Sequence, residues 1–435
     1  MLISKNLKIT ETCMKRFRIE IGRRAALAAV VAMMGAVLQA GLAYAADPIK
    51  IGFSLQLTGP LAASGKAALL TAQIWAEEVN KAGGLLGREV QLVYYDDQSN
   101  PGLVPGIYSK LLDVDKVDLL LSNTTNNTAP AMPLIIQKKR LIMAMFALAV
   151  NEQFKYPNYF QIQPFGPNGK DAVSRGFFET AMASNPAPRS VALVGTDAES
   201  SKNALEGARA HAKRLGLNIV YDKVYPPGTV NFTPVLKAVQ ATSPDLVFVG
   251  SYPADTVGII RTAHEIKLHA KMFGGFMVGT QYAAIKQQLG DALNGILSYE
   301  QYIPAPTVSF PGIEEMLKKY QAKAAERGVD AFGYYVPPFV YAALQVLGDA
   351  VVHTGGLDQQ KLAQYIHASS FKTVVGDIKF GADGEWLEPR LFTVQFRGIK
   401  GNDLQQFTQS GREVIVYPPA FKSGDLVYPY AESRD

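Results

Sequence analysis

The sequence predicts an α/β fold of two doubly wound parallel-sheet lobes, and three observations predict it. From Ile49 onward, short runs rich in Val, Ile, Leu, Tyr and Phe alternate with longer stretches of helical period. The alternation occurs twice, over residues 49–165 and again over 190–300. The helical stretches also carry start and stop residues where that reading needs them.

In the first pass the expected strands are Ile49 to Leu55, Val90 to Tyr95, Val117 to Ser122, Leu141 to Phe146 and Tyr159 to Gln163. The helices between them are Lys66 to Lys81, Gly102 to Asp115 and Ala129 to Lys138. Gly83-Gly84 ends the first helix at a left-handed cap. In the second pass the strands are Val191 to Gly195, Asn218 to Tyr225, Leu246 to Gly250, Lys271 to Phe276 and Ile296 to Tyr302. Their helices are Lys170 to Ser184, Ser201 to Leu215, Phe232 to Thr242 and Val257 to Leu268. Gly216 stops one of them, and Pro234 sits in the first turn of another, where its missing N–H costs nothing. Asn218 to Tyr225 answers Val90 to Tyr95, and Leu246 to Gly250 answers Val117 to Ser122, so the two lobes are built alike.

Helices resume at Gly312 to Arg327, Pro338 to His353 and Asp358 to Ser369 with no strand between them, which suits packing on a lobe already formed. Short strands from Asp377 to Phe396 and from Glu413 to Val416 follow. The chain then crosses between lobes more than once, and several crossovers make a hinge.

With 435 residues, 48% hydrophobic and 19% charged, the chain is neither disordered nor a multispanning membrane protein. Its net charge of +5 sits at the N-terminus. Residues 1–45 hold seven basic and two acidic side chains; taken from 43 and 38, these leave 36 of each in the remaining 390. A balanced body lacks the field that binding nucleic acid needs. After the basic stretch comes an apolar run from Ala25 to Leu42, then Ala43-Tyr44-Ala45-Ala46. Charge, apolar stretch and small residues around a cut site read as a secretory signal over 1–45, cleaved after Ala45, and place the mature chain in the periplasm. An uncleaved anchor is the alternative, at the short limit for a span. Met14 offers an alternative start, and Arg23-Arg24 leaves the export route open. Cys13 is the only cysteine and precedes the apolar run, so the mature chain holds no disulfide.

The sequence's catalytic and metal constellations fail on spacing and residue type. His264 and His269 are five apart, off a common helix face, so they do not share a metal. Gly59-Pro60-Leu61-Ala62-Ala63-Ser64-Gly65-Lys66-Ala67 is one residue too long for a phosphate loop and ends without the hydroxyl that binds Mg²⁺. Its geometry survives, because a helix N-terminus still points unpaired N–H groups at the edge of the sheet. Asp96-Asp97 offers an acid and base pair as one reading, and the end of a strand with a cap for the next turn as the favoured one. Three polar loops, Ser122 to Thr128, Gly195 to Ser201 and Gly250 to Pro253, fall where strands of open parallel sheets end and bind ligands. Each taken alone fits helix capping equally well. Their recurrence in both lobes points to a shared cleft.

Ile49-Lys50-Ile51-Gly52-Phe53-Ser54-Leu55, Leu57-Thr58-Gly59-Pro60, Asn80-Lys81-Ala82-Gly83-Gly84-Leu85-Leu86-Gly87 and Tyr95-Asp96-Asp97 resemble the leucine/isoleucine/valine-binding proteins of bacterial ABC importers. The resemblance extends through Tyr252-Pro253 to Ala342-Ala343-Leu344-Gln345. It implies a type I periplasmic binding protein, two lobes joined by a multi-crossover hinge and closing on one small molecule. With it come lobe 1 over 46–163 and 303–376, lobe 2 over 164–302 and 377–435, a membrane permease as partner, a monomer, and no cofactor, metal or catalytic residue. Carried over residue by residue, it assigns ligand contacts to Thr124, Thr125 and Asn126, to Phe146 and Ala147, and to Tyr252. Ser64 and Ser200, at strand-to-helix turns, complete the set with Phe276.

This chain departs from that family in two places. Phe146-Ala147-Leu148-Ala149 is apolar where amino-acid binders carry small and hydroxyl residues, and Phe276 stands where a carboxylate meets the ligand ammonium. An ammonium taken from water without a counter-charge is strongly penalised. The expected ligand is therefore a small carboxylate, amide or amino acid with an apolar body, an aromatic acid among the candidates. An extracytoplasmic sensor of the same fold is the alternative; no fused signalling domain is evident. An exported enzyme would need a nucleophile, metal site or nucleotide loop, and none is recognisable.

Overall fold

A computed structural model describes residues 47–430. The signal over 1–45, with Cys13, Met14 and the twin arginines, lies outside the described residues. Asp47, Pro48 and Gly87–Glu89 group together, with Arg88 Nε donating to the Asp47 carbonyl at 2.6 Å. The elements below belong to a second unit.

The first half runs β1 (Ile49–Leu55), α1 (Ala62–Lys81), β2 (Val90–Asp96), α2 (Val104–Ser109), β3 (Leu119–Ser122), α3 (Thr125–Gln137), β4 (Ile142–Ala144), α4 (Val150–Phe154) and β5 (Tyr159–Gln161). Its strands form a parallel sheet in the order β2-β1-β3-β4-β5. Every residue of β3 and β4 is buried, so both faces are covered, as parallel sheets require.

The second half runs α5 (Gly169–Met182), β6 (Ser190–Thr196), α6 (Glu199–Arg214), β7 (Asn218–Tyr225), α7 (Thr233–Ala241), β8 (Leu246–Ser251), α8 (Pro253–Glu265), β9 (Met272–Met277), α9 (Ala283–Leu289) and β10 (Leu297–Glu300). Then come α10 (Ile313–Arg327), α11 (Val336–Thr354), α12 (Gln359–Ala368), the hairpin β11 (Ser370–Thr373) and β12 (Gly376–Lys379), and finally β13 (Phe392–Phe396) and β14 (Glu413–Tyr417). The second sheet has the order β14-β13-β10-β9-β8-β6-β7. Its β7-β6-β8-β9-β10 portion repeats the order of the first sheet, and β13 and β14 extend it antiparallel.

After β10 the chain returns to the first lobe. There α11 packs on α1 so closely that a Cβ at Gly348 would lie 3.0 Å from the Trp75 ring. This helix is long and apolar enough to cross a membrane, but 72% of its apolar window is buried, which makes it a core element. The chain passes between the two sheets over 162–168, 301–312 and 380–391.

Three helices begin one turn earlier than expected: α1 at Ala62 instead of Lys66, α3 at Thr125 instead of Ala129, and α8 at Pro253 instead of Val257. Their first turns are small and polar, so apolar periodicity is silent there. Gly65 shows why one of these residues is small. A Cβ on it would lie 2.1 Å from the Gln56 carbonyl oxygen, so only glycine lets α1 start against the loop after β1.

Candidate functional site

Each sheet has one point where the chain leaves a central strand to opposite sides. In the first it falls between β1 and β3, in the second between β6 and β8. Crevices open at such points, beyond the C-terminal ends of the strands. The helices that follow these four strands, α1, α3, α6 and α8, start there with N-cap residues Leu61, Thr124, Ala198 and Tyr252. None of these four N-caps makes a side-chain capping bond. The first N–H groups of a helix have no carbonyl one turn earlier to bond, and the helix dipole adds partial positive charge to them. Four helix N-termini therefore meet at one place.

They meet at a cavity of about 50 Å³. Leu61, Ser64, Thr124, Thr125, Asn126, Phe146, Leu148 and Tyr335 line it from the first lobe. Ser200, Tyr252, Phe276, Val278, Tyr282 and Tyr299 line it from the second, and Gln163 and Phe165 come from a crossing segment. No acidic, basic or histidine side chain stands in this wall.

The two lobes touch across it. The Tyr252 hydroxyl donates to Asn126 Oδ1 at 3.3 Å, and Asn203 Nδ2 donates to the Leu148 carbonyl at 3.2 Å. Thr125 Oγ1 accepts from the Leu148 N–H at 2.9 Å, which leaves its own hydrogen to donate elsewhere. Burial pushes the Tyr252 hydroxyl up to about 12, so it stays a neutral donor at physiological pH.

The rest of the wall is aromatic. Phe276 stacks on Tyr299 with ring centroids 4.6 Å apart; Phe146 and Tyr335 lie 5.1 Å apart, and Tyr282 and Tyr335 5.6 Å. The Tyr299 and Tyr335 hydroxyls are 3.5 Å apart, joining β10 to the start of α11. Burial pushes the hydroxyls of Tyr282, Tyr299 and Tyr335 well up, so none of the three supplies an anion.

Of the nine residues expected from sequence, Ser64, Thr124, Thr125, Asn126, Phe146, Ser200, Tyr252 and Phe276 stand in this wall. The structure places Ala147 elsewhere. Its side chain packs in the core behind the cavity and its carbonyl accepts from the Tyr159 hydroxyl at 3.2 Å, because the chain turns its apolar side inward after Phe146. Sequence reasoning missed Gln163, Tyr282, Tyr299 and Tyr335. Tyr299 lies in β10, which ends at Glu300, two residues before the expected end at Tyr302, so the strand-end rule would have pointed past it.

Asp96 and Asp97 lie behind the wall. Asp96 braces the loop before α1, accepting from the Leu57 and Thr58 N–H groups at 2.9 and 3.2 Å. Asp97 is fully buried beneath α3. Among the described residues no group of three His, Cys, Asp or Glu side chains is placed to hold a metal ion.

A family model described as periplasmic binding protein matches residues 48–401. The leucine-, isoleucine-, valine-, threonine- and alanine-binding protein of Pseudomonas aeruginosa is 24% identical over 347 residues, covering 80% of this chain and 89% of its own. A solved branched-chain amino acid transporter substrate-binding protein from Streptococcus pneumoniae, in complex with isoleucine, superposes with a TM-score of 0.69 at 19% identity, covering 85% of this chain and 100% of its own. A solute-binding protein of an ABC transporter from R. palustris, in complex with benzoate, gives 0.70 at 16% identity, covering 87% and 97%.

Proposed function

The chain belongs to the periplasmic binding protein family, and from that premise we propose that it captures a small carboxylate with an apolar, preferably aromatic, body for an ABC importer. One observation carries this reading: four helix N-termini converge on a cavity whose wall holds no charged side chain and is otherwise largely aromatic. The first-turn N–H groups and the hydroxyls of Ser64, Thr125 and Ser200 suit an anion, while the Tyr252 hydroxyl, donating to Asn126, latches the two lobes around it. The rings of Phe146, Phe276, Tyr282, Tyr299 and Tyr335 suit a flat apolar body. A free α-amino acid would bring an ammonium to a wall without a counter-charge.

The mechanism follows from the two switch points. Each supplies two helix starts to the same ligand, so a ligand touching both favours the closed arrangement by the contacts it gains there. Thr125 and Asn126 hold it from the first lobe, and Ser200 and Tyr252 from the second. The ligand leaves unchanged, because no carboxylate, imidazole or amine stands in the wall to activate the Ser64, Thr125 or Ser200 hydroxyl. A membrane permease reads the closed monomer, and the signal over 1–45 is removed after Ala45 on export; amino-terminal sequencing of the secreted chain tests that cut.

A thermal-shift panel tests the ligand class. Benzoate, its hydroxylated forms and short aliphatic acids are compared with L-leucine and L-valine. Aromatic carboxylates are expected to raise the melting temperature most. A larger rise with L-leucine would overturn the ligand assignment and leave the family membership standing.

A further inference from the structure

We infer that Asp97, which touches no part of the cavity wall's aromatic side, is the positioning residue that aims the first turn of α3 at the bound anion. This rests on the carboxylate reading above. The Asp97 side chain is 0% exposed, and no Lys or Arg pairs with it. Instead, one carboxylate oxygen accepts from Ser54 Oγ at 2.7 Å, Asn127 Nδ2 at 2.5 Å and Gln56 Nε2 at 3.2 Å, and the other from the Ser99 N–H at 2.9 Å.

Two of those donors lead to the cradle. Asn127 is the third residue of α3, and its side chain is tied to Asp97 while Thr125 and Asn126 face the cavity. Gln56 accepts from Asn123 Nδ2 at 2.6 Å and approaches Thr124 Oγ1 at 3.4 Å, so it grips the two residues that lead into the helix. The Gln56 backbone is also the surface against which Gly65 seats the start of α1. One carboxylate thus fixes both first-lobe helix starts through a single glutamine and a single asparagine. Burial pushes the Asp97 carboxyl up, and the donors around it oppose this. The buried network of Ser54, Gln56, Asn123 and Asn127 around it has a geometric role, and the geometry here is that of the anion cradle.

Asp97→Asn preserves shape but replaces one acceptor oxygen by an NH₂, so it loses either the Ser99 N–H bond or those from Ser54, Gln56 and Asn127, and in both orientations it removes the charge that strengthens the bonds that remain. Wild type and variant are titrated with benzoate and with benzamide. If Asp97 aims the N–H groups, benzoate weakens about ten- to hundredfold while benzamide weakens less than about threefold. Adding Asn127→Ala to the variant then costs little more, because both act through one contact. Equal losses for the two probes, or additive effects, would assign Asp97 a general structural role and overturn the inference. Gln56→Ala serves as the second variant, with the same discrimination expected, should Asp97→Asn not fold. If wild type binds neither probe, the ligand class fails, and hydrogen exchange still decides the role of Asp97. Residues 122–130 should exchange faster in the variant while 251–257 do not, and unchanged exchange over 122–130 would overturn it.

Discussion

The Tyr252 hydroxyl, carried by the start of α8 in one lobe, donates to Asn126 Oδ1 at the start of α3 in the other at 3.3 Å. This bond links the two switch points directly, so Tyr252 both closes the cleft and forms part of its wall.

Removing only the hydroxyl, in Tyr252→Phe, is expected to weaken carboxylate binding by about 0.5 to 1.5 kcal/mol. Removing the ring, in Tyr252→Ala, should cost about 2 to 4 kcal/mol, the range for a buried anchor. Calorimetric titration with benzoate separates the two. No loss on either substitution would take Tyr252 out of the site.

Phe276 and Tyr299 stack at 4.6 Å and bring a flat apolar face to the cavity. Phe276→Ala should reduce affinity for benzoate by about 1 to 3 kcal/mol and affinity for acetate by much less, since acetate has no ring to lay against it. Parallel titration of the two acids checks this.

Lys286 is 2% exposed, with its Nζ 2.6 Å from Glu413 Oε1 and 3.8 Å from Glu300 Oε1. Burial opposes its charge, but the two carboxylates prevail and hold its pKa up. Lys286→Met strands both carboxylates in the core and should cost about 3 to 5 kcal/mol of stability by chemical denaturation. Combining it with Glu413→Gln and Glu300→Gln should restore most of that loss.

Glu385 is 7% exposed, and its Oε2 has no hydrogen-bond partner. Burial, with Asp383 and Glu152 nearby, pushes its carboxyl well up. In the unfolded chain the same group ionises near the ordinary glutamate value, so between that value and its raised folded value the unfolded state loses the proton first. Stability therefore falls as pH rises through this window, at up to about 1.4 kcal/mol per pH unit. Glu385→Gln removes that slope. Its melting temperature should exceed that of wild type at pH 8 and approach it near pH 4; a difference independent of pH would contradict the reading.

The central strands were legible because burial on both faces leaves unbroken apolar runs, as in Ile49–Leu55, which ends where the sequence places it; the exposed edge strand Asn218–Tyr225 was legible only through its β-branched and aromatic residues. The start of each site helix was less legible for a physical reason. In α1 and α3 the first turn reaches the cavity and carries Ser64 or Thr125 in place of core residues, and α8 opens on Pro253 directly after the wall residue Tyr252, so in all three the apolar period begins only one turn later. Eight of nine expected residues reach the wall because they sit at strand ends, where topology alone decides position. Gln163, Tyr282 and Tyr335 come from a crossing segment and from helix starts distant in sequence, and only tertiary packing brings them together. Ala147 has no such excuse of distance: a turn after β4 decides which side of it faces inward, and an alanine gives no signal of that.

A wall without charged side chains, fed by four helix starts, is proposed to select a carboxylate over a zwitterion. Calorimetric titration of the protein with benzoate and L-leucine under one set of conditions tests this selection most directly. Saturable one-to-one binding of benzoate, recovered unaltered, with L-leucine at least about tenfold weaker, is the predicted result. Tight L-leucine binding with no heat from benzoate would contradict it.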